Sequence, residues 1–177
     1  MMKNSKGISK KLAVVSLLIC VSLSLSSCVL PWSKLTFRTF AQSMQGNNMA
    51  IVERDRSGNE TVIPAEWNSM GITAWKVAGS KDSTNSLSMQ YLEFDTEENC
   101  TKFYESQASY FSSAAGAGGS RSGNGFCTTG KGFYYYISHV GKKLVMGTCQ
   151  TQDLSSIYKA IKRMPQVTKI DESGALK

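Results

Sequence analysis

The sequence predicts an α+β domain in which an antiparallel sheet carries about three helices packed on one face. Apolar residues recur at helical spacing in three separate segments, 37–44, 100–111 and 154–164. Between these segments lie stretches with period-two alternation and glycine-containing turns, which are typical of antiparallel hairpins. The predicted order is therefore helix, strands, helix, strands, helix. Because the strands are grouped and do not alternate singly with helices, this order favours the α+β class.

The first helix is predicted between Thr36, a favourable N-cap, and Gly46, which ends it. Its apolar residues have the i, i+3, i+4, i+7 spacing of a core-facing helix: Phe37, Phe40, Ala41 and Met44. Strands are then predicted over 50–54, 60–63, 71–78 and 86–94, the first two joined by a turn over 55–59. This part of the chain is expected to supply four strands.

The second helix is predicted to begin at Asp95, with Glu98 three residues later completing a capping box. Its inner face consists of apolar residues: Cys100, Phe103, Tyr104, Ala108 and Phe111. The following segment, 112–125, has no apolar side chain larger than alanine. Such a segment buries too little area to offset its chain entropy, so it is predicted to be a mobile loop.

Residues 126–149 carry the clearest strand pattern. Strands over 126–129, 132–140 and 143–149 are separated by Gly130-Lys131 and Gly141-Lys142, both interpreted as two-residue turns. A closing helix is predicted over 151–164, ended by Pro165. The remaining residues, 166–177, are predicted to form a flexible tail.

Three cysteines belong to this domain: Cys100, Cys127 and Cys149. Three thiols cannot all pair, so at least one is predicted to be free. With the turns above, Cys127 and Cys149 lie on opposite sides of Tyr134, on the two strands that flank the central one. Their Cα atoms would then be about 9–10 Å apart, beyond the limit of about 7 Å for a disulfide. No bond between Cys127 and Cys149 is predicted.

The run Phe133-Tyr134-Tyr135-Tyr136 is the main candidate for a binding surface. Alternate residues of a strand face opposite sides of the sheet, so one pair belongs to the core and the other faces solvent or a partner. Tyrosine offers contact area with little entropy loss and a polar tip. Tyr134 and Tyr136 are interpreted as a possible binding face. The alternative is that a loop or helix covers the second face as well.

The sequence indicates no metal site, cofactor or nucleic-acid partner. The chain has a single histidine, His139, and its acidic residues near 93–98 are explained by the start of a helix. A Cys–His nucleophile pair is conceivable but needs the thiol and the imidazole within hydrogen-bond reach. The protein is therefore not predicted to be an enzyme, with a thiol nucleophile as the alternative.

The N-terminus predicts the location of the protein. Met1 to Lys11 carries four lysines and no acid, Leu12 to Leu25 is apolar, and Leu25-Ser26-Ser27-Cys28 ends in small residues and a cysteine. This segment resembles the precursor of a bacterial lipoprotein, whose lipobox has this pattern. The resemblance implies that Cys28 is thioether-linked to a diacylglyceryl group and becomes the first residue of the mature chain. Two acyl chains would hold a protein durably on a membrane.

Two other interpretations of the N-terminus stay open. Residues 12–30 contain 19 residues without a charge, close to the roughly 20 that a spanning helix requires. A retained membrane helix is therefore one alternative, although the serines dilute its second half. An ordinary cleaved secretory peptide is the other, and it leaves the position of Cys28 unexplained.

The predicted organisation is a signal over 1–27, a lipidated tether over 28–34, one domain over 35–165 and the tail. Four of the 20 basic residues lie in the signal, which leaves 16 against 13 acids, a net charge of +3. This small excess gives no support to nucleic-acid binding. The element order is also loosely similar to that of uncharacterised small lipoproteins of anaerobic Gram-positive bacteria. The sequence thus predicts a lipid-anchored, extracytoplasmic module on the cell membrane or outer membrane that binds a protein or small molecule.

Overall fold

The computed structural model describes residues 34–52, 63, 65–81 and 84–177, without the side chains of Glu66 and Asn68. The predicted signal, Cys28 and the tether up to residue 33 lie outside the described residues. The elements, in chain order, are α1 (Phe37–Gln45), β1 (Met49–Val52), α2 (Ala65–Asn68), β2 (Ile72–Ser80), β3 (Ser88–Phe94), α3 (Glu97–Ala115), β4 (Ser120–Ser122), β5 (Gly125–Gly130), β6 (Phe133–Val140), β7 (Lys143–Gln150) and α4 (Leu154–Arg163). None of the helices in these ranges is both long and apolar enough to cross a bilayer.

The described strands form one antiparallel sheet in the order β1-β2-β3-β7-β6-β5-β4. Two meanders, β1 to β3 and β4 to β7, meet where β3 pairs with β7 at the centre. The α+β class and the order of the elements are confirmed. The predicted packing of the helices on one face is wrong, because the sheet has a hydrophobic core on each side.

The first core lies between the sheet and helices α1 and α4. Phe40 and Met44 of α1 and Ile157 and Ile161 of α4 are fully buried there. Gly147 of β7 permits this packing, since a Cβ at that position would lie 2.9 Å from Cδ1 of Ile157. The absence of a side chain at Gly147 therefore leaves room for Ile157 of α4 to pack against β7.

The second core lies between the opposite face of the sheet and α3. All five residues of the predicted inner face of this helix are buried, which confirms its orientation: Cys100, Phe103, Tyr104, Ala108 and Phe111. They pack on Leu92, Ile137 and Leu144 of the three central strands. Each central strand thus has two apolar faces, one for each helical layer.

The predicted ends of the helices are confirmed in part. Thr36 caps α1 through a reciprocal pair with Thr39, and Gly46 is its C-cap, as predicted. The N-cap of α3 is Thr96 and not Asp95, because the Thr96 side chain accepts from the backbone N–H of Asn99. Asp95 contributes by accepting from the side-chain amide of Asn99 at 2.9 Å.

Residues 112–125 are not a mobile loop. Helix α3 continues to Ala115 and ends at Gly116 in the left-handed conformation, with φ of 69°. Strand β4 then pairs with β5 at the edge of the sheet. The Arg121 guanidinium forms two hydrogen bonds to Glu105 of α3, at 2.9 and 2.8 Å. Partners distant in sequence therefore order a segment that has little apolar area of its own.

Of the two predicted hairpin turns, one is confirmed and the other is wrong. Val140 pairs with Lys143 and Tyr134 with Cys149, as predicted from a turn at Gly141-Lys142. In the other hairpin the turn is Lys131-Gly132, both with positive φ, and Cys127 pairs with Tyr136 rather than Tyr134. The prediction chose the wrong glycine, and the register shifted by two residues. Earlier in the chain, β1 pairs with β2, while the predicted strand over 60–63 lies almost wholly outside the described residues.

The predicted flexible tail is ordered against the sheet. Val167 and Ile170 are buried in the first core, and Ile170 forms an isolated β-bridge with Leu176. Two tyrosine hydroxyls of β6 donate to carbonyls of this segment. The tail is therefore part of the domain, because it covers polar groups that the strand brings into the core.

Candidate functional site

Tyr134 and Tyr136, the predicted binding face, are buried in the first core. Their exposed fractions are 2% and 0%. The Tyr134 hydroxyl donates to the Gly174 carbonyl at 2.7 Å and that of Tyr136 to the Thr168 carbonyl at 2.5 Å. Burial raises the pKa of both phenols. The expectation of an exposed pair is corrected: the polar tips that suggested an interface are satisfied by the C-terminal segment.

The other two residues of the aromatic run lie on the opposite face of β6, at the edge of the second core. Phe133 is 40% exposed, and Tyr135 is half-buried against Phe111, with ring centroids 5.1 Å apart. Next to Tyr135 the sheet is left partly uncovered beyond α3. The aromatic run therefore does reach a surface, on the side opposite to the one predicted.

A groove of about 250 Å³ opens at this place, and we call it the aromatic groove. Aromatic side chains form its walls, and strands β3 and β7 supply a polar floor. The lining residues are Trp67, Ser88, Gln90, Gln107, Tyr110, Phe111, Tyr135, Met146, Gly147 and Thr148. No charged residue is among them in the described part of the chain. A small, largely apolar pocket with a few polar groups is the usual form of a ligand site.

The walls of the groove contain both aromatic rings that pack against other rings and rings that are exposed to solvent. Trp67 of the short helix α2 packs edge-on against Trp75 and Phe103, with centroid distances of 5.4 and 5.3 Å. Tyr110 is 63% exposed and stands beside Phe111, 6.1 Å away. The packed rings keep the shape of the groove, and Tyr110 contributes a ring that a ligand could cover.

The floor provides oriented hydrogen-bonding groups. The Oε1 atom of Gln90 accepts from the indole N–H of Trp75 at 2.8 Å, which turns the Gln90 amide so that its NH₂ is not used in this bond. Gln107 of α3 adds a second amide side chain to the lining. An aromatic wall beside amide and hydroxyl groups can bind an uncharged ligand with an apolar face and polar edges.

Sequence reasoning missed most of the groove for identifiable reasons. Trp67 lies in a stretch without a clear period, and α2 is only four residues long. Tyr110 and Gln107 are ordinary surface positions of an amphipathic helix. Only Tyr135 carried a signal, as a member of the aromatic run, and its face depended on which side the core would occupy.

The thiol-nucleophile alternative is not supported by the geometry. All three cysteines are free and buried, Cys100 in the second core and Cys127 and Cys149 in the first. Burial raises the pKa of Cys100 and Cys149 to about 12 and also raises that of Cys127. A thiolate is the reactive species, so these environments suppress nucleophilicity near neutral pH.

The His139 ring packs against that of Tyr104 at a centroid distance of 4.7 Å, with the two planes tilted by 46°. Its Nδ1 atom is buried and finds no hydrogen-bond partner in the described ranges. Burial lowers the pKa of the imidazole, although Glu97 and Glu105 partly oppose this shift. Within the same ranges, no group of three or more His, Cys, Asp or Glu side chains could hold a metal ion.

Comparison with known proteins adds little to this description. No protein-family model matches the chain, and no curated protein matches it significantly. One similar solved structure is the extracellular domain of PknH from Mycobacterium tuberculosis, at 12% sequence identity and a TM-score of 0.44. The match covers 73% of this chain and 91% of that one. This degree of similarity does not identify a family or a function for this chain.

Proposed function

We propose that the protein is a lipid-anchored binding module of the cell envelope, and that its aromatic groove holds a small uncharged ligand. The groove carries this proposal: it is the place where aromatic walls meet amide and hydroxyl groups. The lipobox Leu25-Ser26-Ser27-Cys28 supports the anchor and an extracytoplasmic location. The buried, unreactive thiols favour this function over a cysteine enzyme.

The lining selects the chemical class of the ligand. A charged ligand would lose hydration on entering and would find no opposite charge among the described lining residues. A sugar ring offers an apolar C–H face for Tyr110 and Tyr135 and hydroxyl edges for the floor. An N-acetyl group adds an amide that the side chains of Gln90 and Gln107 can bind. A neutral pyranose is therefore the ligand class proposed.

Tryptophan fluorescence tests this proposal directly. Residues 34–177 form a compact unit, and its two tryptophans are Trp67, in the groove, and Trp75, in contact with Trp67. Titration of this fragment with N-acetylglucosamine or its β-1,4-linked trimer should change the emission saturably. Replacing Tyr110 with Ala should weaken binding about two- to tenfold, the range expected for loss of one aromatic contact.

Phe37→Ala is the matched control, because Phe37 is an exposed aromatic of α1 that contacts Tyr91 of the first core and lies outside the lining. It should leave binding unchanged. Absence of any saturable change with these sugars would contradict the ligand class. Equal weakening by Tyr110→Ala and Phe37→Ala would show that binding occurs outside the groove.

A further inference from the structure

A second, larger cleft lies on the α1 and α4 side of the domain, and we call it the basic cleft. It has a volume of about 930 Å³. The turn after α1, the loop before β3 and one side of α4 form its sides. Its lining includes Asn47, Asn85, Ser156, Lys159, Lys162 and Arg163. Three are cationic, and none of these described residues is acidic.

The cations of the basic cleft are not neutralised by described acidic residues. The ion pairs in the described ranges are Lys102 with Glu98 and Arg121 with Glu105, both on or beside α3. Asp153, the acid that precedes α4, accepts from the backbone N–H and hydroxyl of Ser86 at 2.9 and 2.7 Å. The positive charge of Lys159, Lys162 and Arg163 is therefore available to an anion.

Basic residues in the last turn of a helix are often explained by the helix dipole, and here that explanation is incomplete. The ammonium group of Lys169 already donates to the carbonyls of Ile161 and Met164 at the end of α4. Arg163 turns away from its own helix, and its Nη1 donates to the Gly46 carbonyl at 2.9 Å. This bond holds the guanidinium across the cleft, and among the described residues its other N–H groups have no hydrogen-bond partner.

Neutral donors in the basic cleft are held in place by local bonds. Asn85 donates to Oγ of Ser156 at 2.8 Å, so the Ser156 hydroxyl proton is not used in that bond. Asn47 donates to the Ser43 carbonyl at 2.7 Å and, more weakly, to that of Lys159 at 3.4 Å. These bonds connect the three sides of the cleft. The geometry thus presents a group of cations beside hydroxyl and amide groups.

We propose that the basic cleft binds a phosphate ester of a polyol, with the phosphate on Lys159, Lys162 and Arg163 and the polyol on Ser156 and the asparagine side. Lysine and arginine form charge-assisted hydrogen bonds with phosphate oxygens. The same chemistry occurs in a soluble sugar or glycerol phosphate and in the headgroup of an anionic glycerophospholipid. This site is separate from the aromatic groove and does not depend on it.

Titration of the 34–177 fragment with sn-glycerol 3-phosphate, followed by amide chemical shifts, tests the site. Shifts are expected at residues 46–48 and 156–163. The double variant Lys159→Gln/Lys162→Gln should bind at least about tenfold more weakly, the loss of roughly one strong charge-assisted contact. The matched control Lys102→Gln/Lys131→Gln removes the same charge from exposed lysines outside the cleft and should keep the affinity within about twofold.

Cosedimentation of the same fragment with vesicles distinguishes a soluble phosphate ester from a lipid headgroup. One set of vesicles contains phosphatidylglycerol, and the other is pure phosphatidylcholine. Binding to the soluble ester identifies a soluble ligand, and binding to the phosphatidylglycerol vesicles alone identifies a headgroup. Either result supports the site only if the cleft variant loses binding and the control keeps it. Equal loss in both variants, or no binding to either probe, would overturn the proposal.

Discussion

Each cysteine of the domain lies in an apolar environment. Cys149 is 1% exposed among the residues of the first core, and Cys100 is fully buried in the second. Because the sheet separates the two cores, Cys100 cannot reach Cys127 or Cys149 without unfolding. The same burial that prevents pairing also raises the pKa of the thiols, so they stay protonated at physiological pH.

We expect the three thiols of the 34–177 fragment to react slowly with Ellman's reagent near pH 7.5 while the protein is folded. All three should react promptly in guanidinium chloride, because unfolding removes the desolvation that raises their pKa. Non-reducing peptide mapping should show no crosslink between Cys127 and Cys149. One fast-reacting thiol in the folded protein would restore the thiol-nucleophile function as a serious alternative.

Among the elements, α3 contributes most to the second core and also forms one wall of the aromatic groove. Its inner face packs on the sheet, while Gln107 and Tyr110 line the groove. Its C-terminus is fixed by Gly116 and by the short strand that follows. The helix therefore links stability to the shape of the candidate site, since displacement of α3 would move Phe111 away from Tyr135.

Phe103→Ala should lower the free energy of unfolding by about 3–5 kcal/mol, the cost of emptying a large buried position. Phe103 is 2% exposed and contacts both Phe94 and Trp67. Urea denaturation of the 34–177 fragment measures the change. Tyr110→Ala, an aromatic truncation at a largely exposed position of the same helix, should cost much less. A similar cost for both variants would mean that α3 is not docked through this face.

At the scale of the whole molecule, the proposed lipid anchor and the two candidate sites belong to different parts of the chain. Both clefts lie in the compact unit Lys34–Lys177, and Cys28 precedes it. Binding and anchoring are therefore expected to be separable by mutation. A fragment that lacks the N-terminal segment should keep its ligands, and a change at Cys28 should affect only attachment and processing.

Cys28→Ala should abolish metabolic labelling with a fatty acid and leave an uncleaved precursor in the producing cell. The expected reason is that the lipobox resemblance implies modification of the cysteine before cleavage. Gel mobility and label incorporation measure both effects. Cys20→Ala, a cysteine inside the apolar segment, is the control and should be processed normally. Normal processing and labelling of Cys28→Ala would exclude the lipoprotein interpretation.

The sequence by itself determined the features that depend on neighbouring residues. The spans of α1 and α4, the inner face of α3 and the turn at Gly141 were predictable because helical spacing and turn residues are local signals. The first hairpin shows the limit of such signals. Gly130 and Gly132 both suit a tight turn, and only the observed pairing of Gly130 with Phe133 selects between them.

Only the tertiary structure decided which helix covers which face of the sheet, and hence which tyrosines are buried. Residues 120–122 have no large apolar side chain, and residues 166–177 have Val167, Ile170 and Leu176. The order of both segments depends on distant partners, as in the bond from Tyr134 to Gly174. The aromatic groove and the basic cleft likewise combine residues far apart in the chain. Contacts of this kind have no local period, because their free energy appears only when separate elements pack together.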